Sequence, residues 1–170
     1  MELSTIAVIG VSLTACIFDL RTRRIPNLLT LVAAVAAWSF FLAQGGLSAL
    51  GWSVTGWLLG VLMFFPFFLL GGMGAGDVKL LGALGAWLGP LAAIHLAFYT
   101  AIAGGVMALI VVLARGYLGE AFLNIWLLLT YWRVQGLHRH PTLTLEESRA
   151  PRLAYAIPIA AGAVATLWWR

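Results

Sequence analysis

The chain has 170 residues, of which 62% are hydrophobic and only 9% are charged, and its mean hydropathy is +0.99. Because a soluble domain typically carries about 25% charged residues, this composition excludes an ordinary soluble domain and predicts an all-α integral membrane bundle. The net charge is +4, but the basic residues lie between apolar runs, as in loops that face an anionic leaflet. No nucleic-acid partner is therefore predicted.

The first half of the chain predicts three transmembrane helices, since about 17 to 25 apolar residues cross a bilayer. The apolar runs cover residues 3–18, 28–43 and 47–70. The second and third are separated by a Gln-Gly-Gly break at 44–46, and a glycine-rich stretch at 71–76 ends the third.

The second half predicts three more helices, which gives about six in all. The apolar stretch 80–114 is too long for one helix and suits two, with a kink at Gly89-Pro90 and a turn between His95 and Thr100. Then come a short segment at 121–132 that is predicted to lie at the interface, a polar loop at 133–152 and a final span at 153–169.

The basic residues also predict the orientation of the bundle. Arg21, Arg23 and Arg24 follow the first apolar run, Lys79 follows the third and Arg115 follows the fifth, whereas the breaks after the second and fourth carry no Lys or Arg. The positive-inside rule then places the N-terminus outside and the basic loops in the cytoplasm.

The whole chain, residues 1–170, is predicted to be a single transmembrane domain. Its one cysteine, Cys16, excludes an intramolecular disulfide and a zinc site of the CxxC type. Cys16 is expected to be an ordinary helix residue.

The sequence contains two aspartates, Asp19 and Asp77, and each lies where an apolar run meets a polar break. Asp19 ends the first predicted helix and Asp77 begins the fourth. Because two helices separate them, the chain returns to the same membrane face, and both carboxylates are expected at similar depth on the cytoplasmic side.

Two adjacent carboxylates share one proton, so that one can act as general base on a water while the other polarises a carbonyl. This is aspartic protease chemistry, which needs no metal and no cofactor. The alternative is that both acids are interfacial residues, with Asp19 paired to an arginine and Asp77 capping a helix.

Gly74 and Gly76 come directly before Asp77, and they permit an irregular backbone with space for an extended peptide beside the carboxylate. Arg21 and Lys79 lie two residues beyond the aspartates and are candidates to bind substrate or to support the pair. Alternatively, the arginines bind lipid headgroups, and Lys79 tunes the pair or anchors the chain at the interface. In the polar loop, Glu146 and Glu147 are candidates to attract a basic peptide.

Two motifs in this chain resemble those of the type IV prepilin peptidases, a family of membrane aspartic proteases. Residues 19–27 read D-L-R-T-R-R-I-P-N, which matches the family pattern D-x-R-x-x-x-I-P-N. Residues 74–79 read G-A-G-D-V-K, which matches G-x-G-D-V-K. The resemblance implies that Asp19 and Asp77 are the catalytic pair.

The resemblance also implies a substrate and a location. The substrate would be a prepilin or pseudopilin whose basic leader is removed at the cytoplasmic face of a bacterial inner membrane. Larger members carry an N-terminal domain with paired CxxC motifs that is linked to methylation. This chain lacks them and looks like the short, peptidase-only branch associated with Flp-type (tight-adherence) pili.

The chain departs from that branch where a Pro-Tyr-Gly element often enters the last helix, since it reads Ala154-Tyr155-Ala156 there.

Two other functions fit some of these features. A small transporter could use Asp19 and Asp77 as proton or cation sites, although such sites usually lie near the membrane midplane. A pilus assembly factor without catalytic activity is the other alternative, and the presence of both aspartates argues against it.

Overall fold

The computed structural model describes residues 2–138 and 153–169, and this part of the chain consists of helices and short connections without a strand. The helices are α1 (Glu2–Thr22), α2 (Asn27–Leu69), α3 (Ala75–Leu88), α4 (Pro90–Arg115), α5 (Leu118–Gln135) and α6 (Ala156–Trp168). Three of them, α1, α2 and α4, are long and apolar enough to cross a membrane. The predicted all-α membrane bundle is confirmed, whereas the outward N-terminus stays a prediction.

Helix α2 is two helical arms joined by a reversal of the chain. Gly45 and Gly46 have non-helical backbone angles, and Gly46 has a φ of +64°. The rings of Trp38 and Trp57 lie 5.8 Å apart, although a straight helix would separate these positions by about 28 Å. The break predicted at 44–46 is therefore confirmed, and it divides α2 into a first arm (27–44) and a second arm (47–69).

The turn predicted between His95 and Thr100 is wrong. Both residues lie inside α4, and the break between α3 and α4 is at Gly89. Gly89 has a φ of +81°, a conformation that favours glycine, and Pro90 occupies the first turn of α4, where its missing N–H has no helical partner to lose. Gly89 is therefore the single residue between the end of α3 at Leu88 and the start of α4 at Pro90.

The end of the described chain also differs in detail from the prediction. The segment predicted at 121–132 is part of the longer helix α5, none of whose residues is buried. The final helix α6 has 13 residues, so it is shorter than the span predicted at 153–169. It is also shorter than the about 17 to 25 residues that cross a bilayer. Residues 139–152 of the predicted loop lie outside the described residues.

Helix α3 lies at the centre of the bundle and contacts α1, α2, α4 and α6. From Leu80 to Leu88 every residue is buried. Two hydrogen bonds fix it to the arms of α2. The Trp87 indole N–H donates to the Ala33 carbonyl oxygen at 2.9 Å, and the Ser53 hydroxyl donates to the Ala86 carbonyl oxygen at 2.7 Å.

Glycines bring the second arm of α2 into backbone contact with α3. A Cβ added to Gly56 would overlap the Gly85 carbonyl oxygen, and one added to Gly60 would overlap the Leu81 carbonyl oxygen. Small residues allow such close approach between membrane helices, where packing replaces the hydrophobic effect as the main attraction. The position of α3, and of any group that it carries, therefore depends on these glycines.

Gly60→Ala is expected to destabilise the bundle by about 1–3 kcal/mol, the usual range for overpacking a tight interface. The new methyl group has to displace the backbone of α3, because the nearest atoms belong to Leu81 and Gly82. Thermal unfolding in detergent, with Gly51→Ala as the matched control, measures the difference. Gly51 is in the same arm with nothing within 4 Å of an added Cβ, and equal melting temperatures for the two variants would contradict the account.

Candidate active site

Asp19 lies on the buried face of α1. The buried residues of this helix are Ser4, Val8, Ser12, Ala15 and Asp19, which are spaced three or four apart and so share one face. Asp19 is only 6% exposed, whereas its neighbour Leu20 is 54% exposed. The helical period therefore directs this carboxylate into the bundle, in the last turn of α1.

Asp77 is positioned by the glycine-rich connection between α2 and α3. Gly71 has a φ of +77°, and the Gly72 and Gly71 N–H groups donate to the carbonyl oxygens of Phe67 and Phe68, a Schellman motif that ends α2. Gly74 then caps the start of α3 with extended backbone angles. Its N–H donates to Asp77 Oδ2 at 3.2 Å, which holds the carboxylate in the first turn of α3.

The two aspartates line one cavity of about 420 Å³ at the ends of α1, α2 and α3. Arg23, Arg24 and Ile25 border it from the connection between α1 and α2, and Gly74, Ala75 and Gly76 border it from the start of α3. The structure thus brings together the acids of both sequence motifs.

The cavity changes the protonation of Asp77, which lies outside the three helices long enough to span. Its pKa is raised to about 7, mainly by burial and next by the charge of Asp19, while the hydrogen bond from Gly74 acts in the opposite direction. Asp77 can therefore hold a proton near neutral pH. A pair with one proton can activate a water and polarise a carbonyl at the same time.

The start of α6 contacts the same site. The Ala156 N–H donates to Asp19 Oδ2 at 3.1 Å, and one turn earlier in α1 the Cys16 thiol donates to the Ala156 carbonyl oxygen at 3.2 Å. Just before α6, Tyr155 has its pKa raised by burial and, to a lesser degree, by the charge of Asp77. Residues distant in sequence therefore fix the orientation of Asp19 and border Asp77.

The two motif glycines have separate steric roles. A Cβ on Gly74 would lie 3.0 Å from Asp77 Oδ2, and a Cβ on Gly76 would lie 3.2 Å from the Ile25 Cβ. Gly74 therefore leaves space for the carboxylate, and Gly76 allows the start of α3 to pack against the first motif.

Arg21 and Lys79, also predicted as site residues, do not line the cavity of the aspartates. Arg21 is exposed. Lys79 is also exposed, and its ammonium donates to Asn27 Oδ1 at 2.9 Å. Glu146 and Glu147 lie outside the described residues. Within residues 2–138 and 153–169, no group of three or more His, Cys, Asp or Glu side chains is arranged to hold a metal.

Sequence reasoning missed the contribution of Ala156, because it acts through its backbone N–H and no side-chain pattern indicates it. Arg23 and Arg24 were predicted as loop charges and, in the alternative interpretation, as ion-pair partners of Asp19; both line the cavity. Asn27 was part of the first motif, and its contact with Lys79 joins that motif to the second.

The sequence profile of the type IV leader peptidase family matches residues 6–109, a segment that contains both aspartates and both glycines. No curated protein and no solved structure matches the chain. The matched segment covers more than half of the chain and includes α1, α2, α3 and most of α4. The chain belongs to the type IV leader peptidase family.

Proposed function

We propose that the chain is a membrane aspartic endopeptidase that removes the basic leader from prepilins or prepilin-like proteins at the cytoplasmic face of a bacterial inner membrane. Asp19 and Asp77 are its catalytic pair. The convergence of these two acids in one cavity carries the proposal, since α1 and α3 contribute one carboxylate each. Membership of the leader peptidase family supports the reaction class.

The reaction follows from the protonation of the pair. Asp77, whose pKa is about 7, holds the shared proton and donates a hydrogen bond to the scissile carbonyl oxygen. Asp19 accepts a proton from a water as the water oxygen attacks the carbonyl carbon. The leaving amine then takes a proton from the pair as the C–N bond breaks, so that the two carboxylates return to one shared proton.

The location of the cavity favours a peptidase over a transporter. Asp19 is in the last turn of α1 and Asp77 in the first turn of α3, so both acids lie at helix ends, whereas transport sites usually lie near the midplane. A cavity at this edge suits a substrate whose leader is outside the bilayer and whose apolar segment remains within it. The chain would act as a single peptidase domain over residues 1–170.

Asp19→Asn and Asp77→Asn are each expected to reduce cleavage of a prepilin bearing its leader by at least about 10³-fold, because either change removes a proton acceptor or donor of the pair. The assay uses purified protein in detergent, with folding checked by thermal unfolding. Glu120→Gln is the matched control, since Glu120 is an exposed acid in α5. Cleavage by both aspartate variants would exclude the pair, and an inert wild type across several prepilins would favour the assembly-factor or transporter alternatives.

Asp77→Asn is also expected to become more stable than wild type as the pH rises from about 4 to about 7, because the wild type loses stability over this range. The folded-state pKa of Asp77, about 7, is above the value of about 4 for an unfolded chain. Its protonated form therefore stabilises the wild type at low pH, and this contribution is lost as the pH rises through the folded pKa. The melting temperatures of both proteins are measured between pH 4 and pH 8. The difference between variant and wild type should widen up to about pH 7 and then level off. A constant difference would mean that Asp77 has an ordinary pKa.

Gly74→Ala is expected to reduce cleavage by at least about tenfold with little change in melting temperature. The new Cβ would lie 3.0 Å from Asp77 Oδ2, so the carboxylate has to shift by a few tenths of an ångström from the position in which it accepts the Gly74 N–H. Gly72→Ala is the control in the same connection, because its Cβ would make an ordinary contact at 3.6 Å. Equal cleavage rates for the two variants would exclude this role for Gly74.

A further inference from the structure

A second cavity, of about 460 Å³, lies beside the one that contains the aspartates, and Asn27 borders both. Its apolar wall is formed by Leu28, Leu31 and Ala34 on one face of the first arm of α2, and by Trp38 and Trp57 where the two arms meet. We call this cavity the Lys79 groove, because Lys79 also lines it. The proposed reaction makes no use of it.

The polar and apolar parts of the Lys79 groove are at opposite ends. Asn27 begins α2 and Lys79 lies near the start of α3, so both are at one edge of the bundle. Both side chains are exposed. The Lys79 ammonium uses one of its three N–H groups on Asn27 Oδ1, which leaves the others and the Asn27 amide N–H₂ able to bind an anion. No acidic side chain borders the groove within the described residues.

The length of the groove matches one leaflet of a bilayer. From Asn27 to Trp38 the helix rises by about 16 Å, which is close to half of a hydrocarbon core about 30 Å thick. Since α2 is long and apolar enough to cross a membrane, the leucines and tryptophans lie at the depth of acyl chains when Lys79 lies at the headgroup level.

We propose that the Lys79 groove binds one anionic phospholipid, with the phosphate on Lys79 and Asn27 and an acyl chain along Leu28, Leu31 and Trp38. A lysine ammonium binds phosphate as a point charge. This binding does not require that the chain be a peptidase.

Native mass spectrometry of the purified full-length chain in a neutral detergent tests the headgroup. Phosphatidylglycerol and phosphatidylcholine with identical chains are compared, and wild type is expected to retain phosphatidylglycerol preferentially. Lys79→Gln should weaken its binding by about fivefold, the factor expected for one basic charge at a membrane surface, and Lys79→Arg should preserve it. Arg115→Gln is the control, since it removes the same charge at the end of α4. Equal losses for Lys79→Gln and Arg115→Gln would overturn the proposal.

A second pair of variants tests the acyl chain. Leu31→Trp fills the groove and should weaken the binding of both lipids by several fold. Val32→Trp should not weaken it, because Val32 is an exposed neighbour that does not line the groove. If inorganic phosphate displaces phosphatidylglycerol and Leu31→Trp has no effect, the groove is a simple anion site instead. Binding of a prepilin peptide that depends on Leu31, with no retained lipid, would assign the groove to substrate. The same measurements on Asp77→Asn separate lipid binding from proteolysis, because lipid binding should persist there.

Discussion

The backbone contact between the second arm of α2 and α3 determines where the rest of the bundle can lie. Gly56 and Gly60 on one side and Gly85 on the other leave no space for a side chain between the two helices. In a bilayer, such contacts hold helices together through close packing, since lipid is as apolar as the side chains. The short helix α3 is thereby fixed at the centre, and its first turn brings Asp77 to the edge of the bundle.

The two aspartates of the candidate site are positioned by two separate local features of the chain. A helical period buries Asp19 at the end of α1, and a glycine-rich connection holds Asp77 at the start of α3. Each carboxylate accepts one backbone N–H, from Ala156 and from Gly74. Burial and the charge of Asp19 then raise the pKa of Asp77. The pair therefore depends on three helices, and the two motifs account for its acids and for Gly74 but not for Ala156.

The edge of the bundle that carries the site is also basic. Arg23 and Arg24 line the cavity of the aspartates, and Lys79 lines the adjoining groove. Asn27 joins the two cavities and accepts a hydrogen bond from Lys79. Under the proposed function, a leader peptide that enters at this edge would meet the arginines and the aspartates within one small region. Charges at such an edge act strongly, because part of their surroundings is a medium of low dielectric constant.

The sequence by itself determined the membrane class, the all-helical bundle, the reversal at Gly45-Gly46 and the two acids on one face. These follow from composition, run length and helix parity, which are local or additive properties of the chain. Only the tertiary structure decided that α3 and α4 divide at Gly89, that Ala156 binds Asp19, and that Lys79 binds Asn27. The physical reason is that a Gly-Pro pair in an apolar run is compatible both with a kink inside one helix and with the end of one helix and the start of the next. A side-chain pattern also does not indicate which group a backbone N–H will bind, because that depends on how the helices pack.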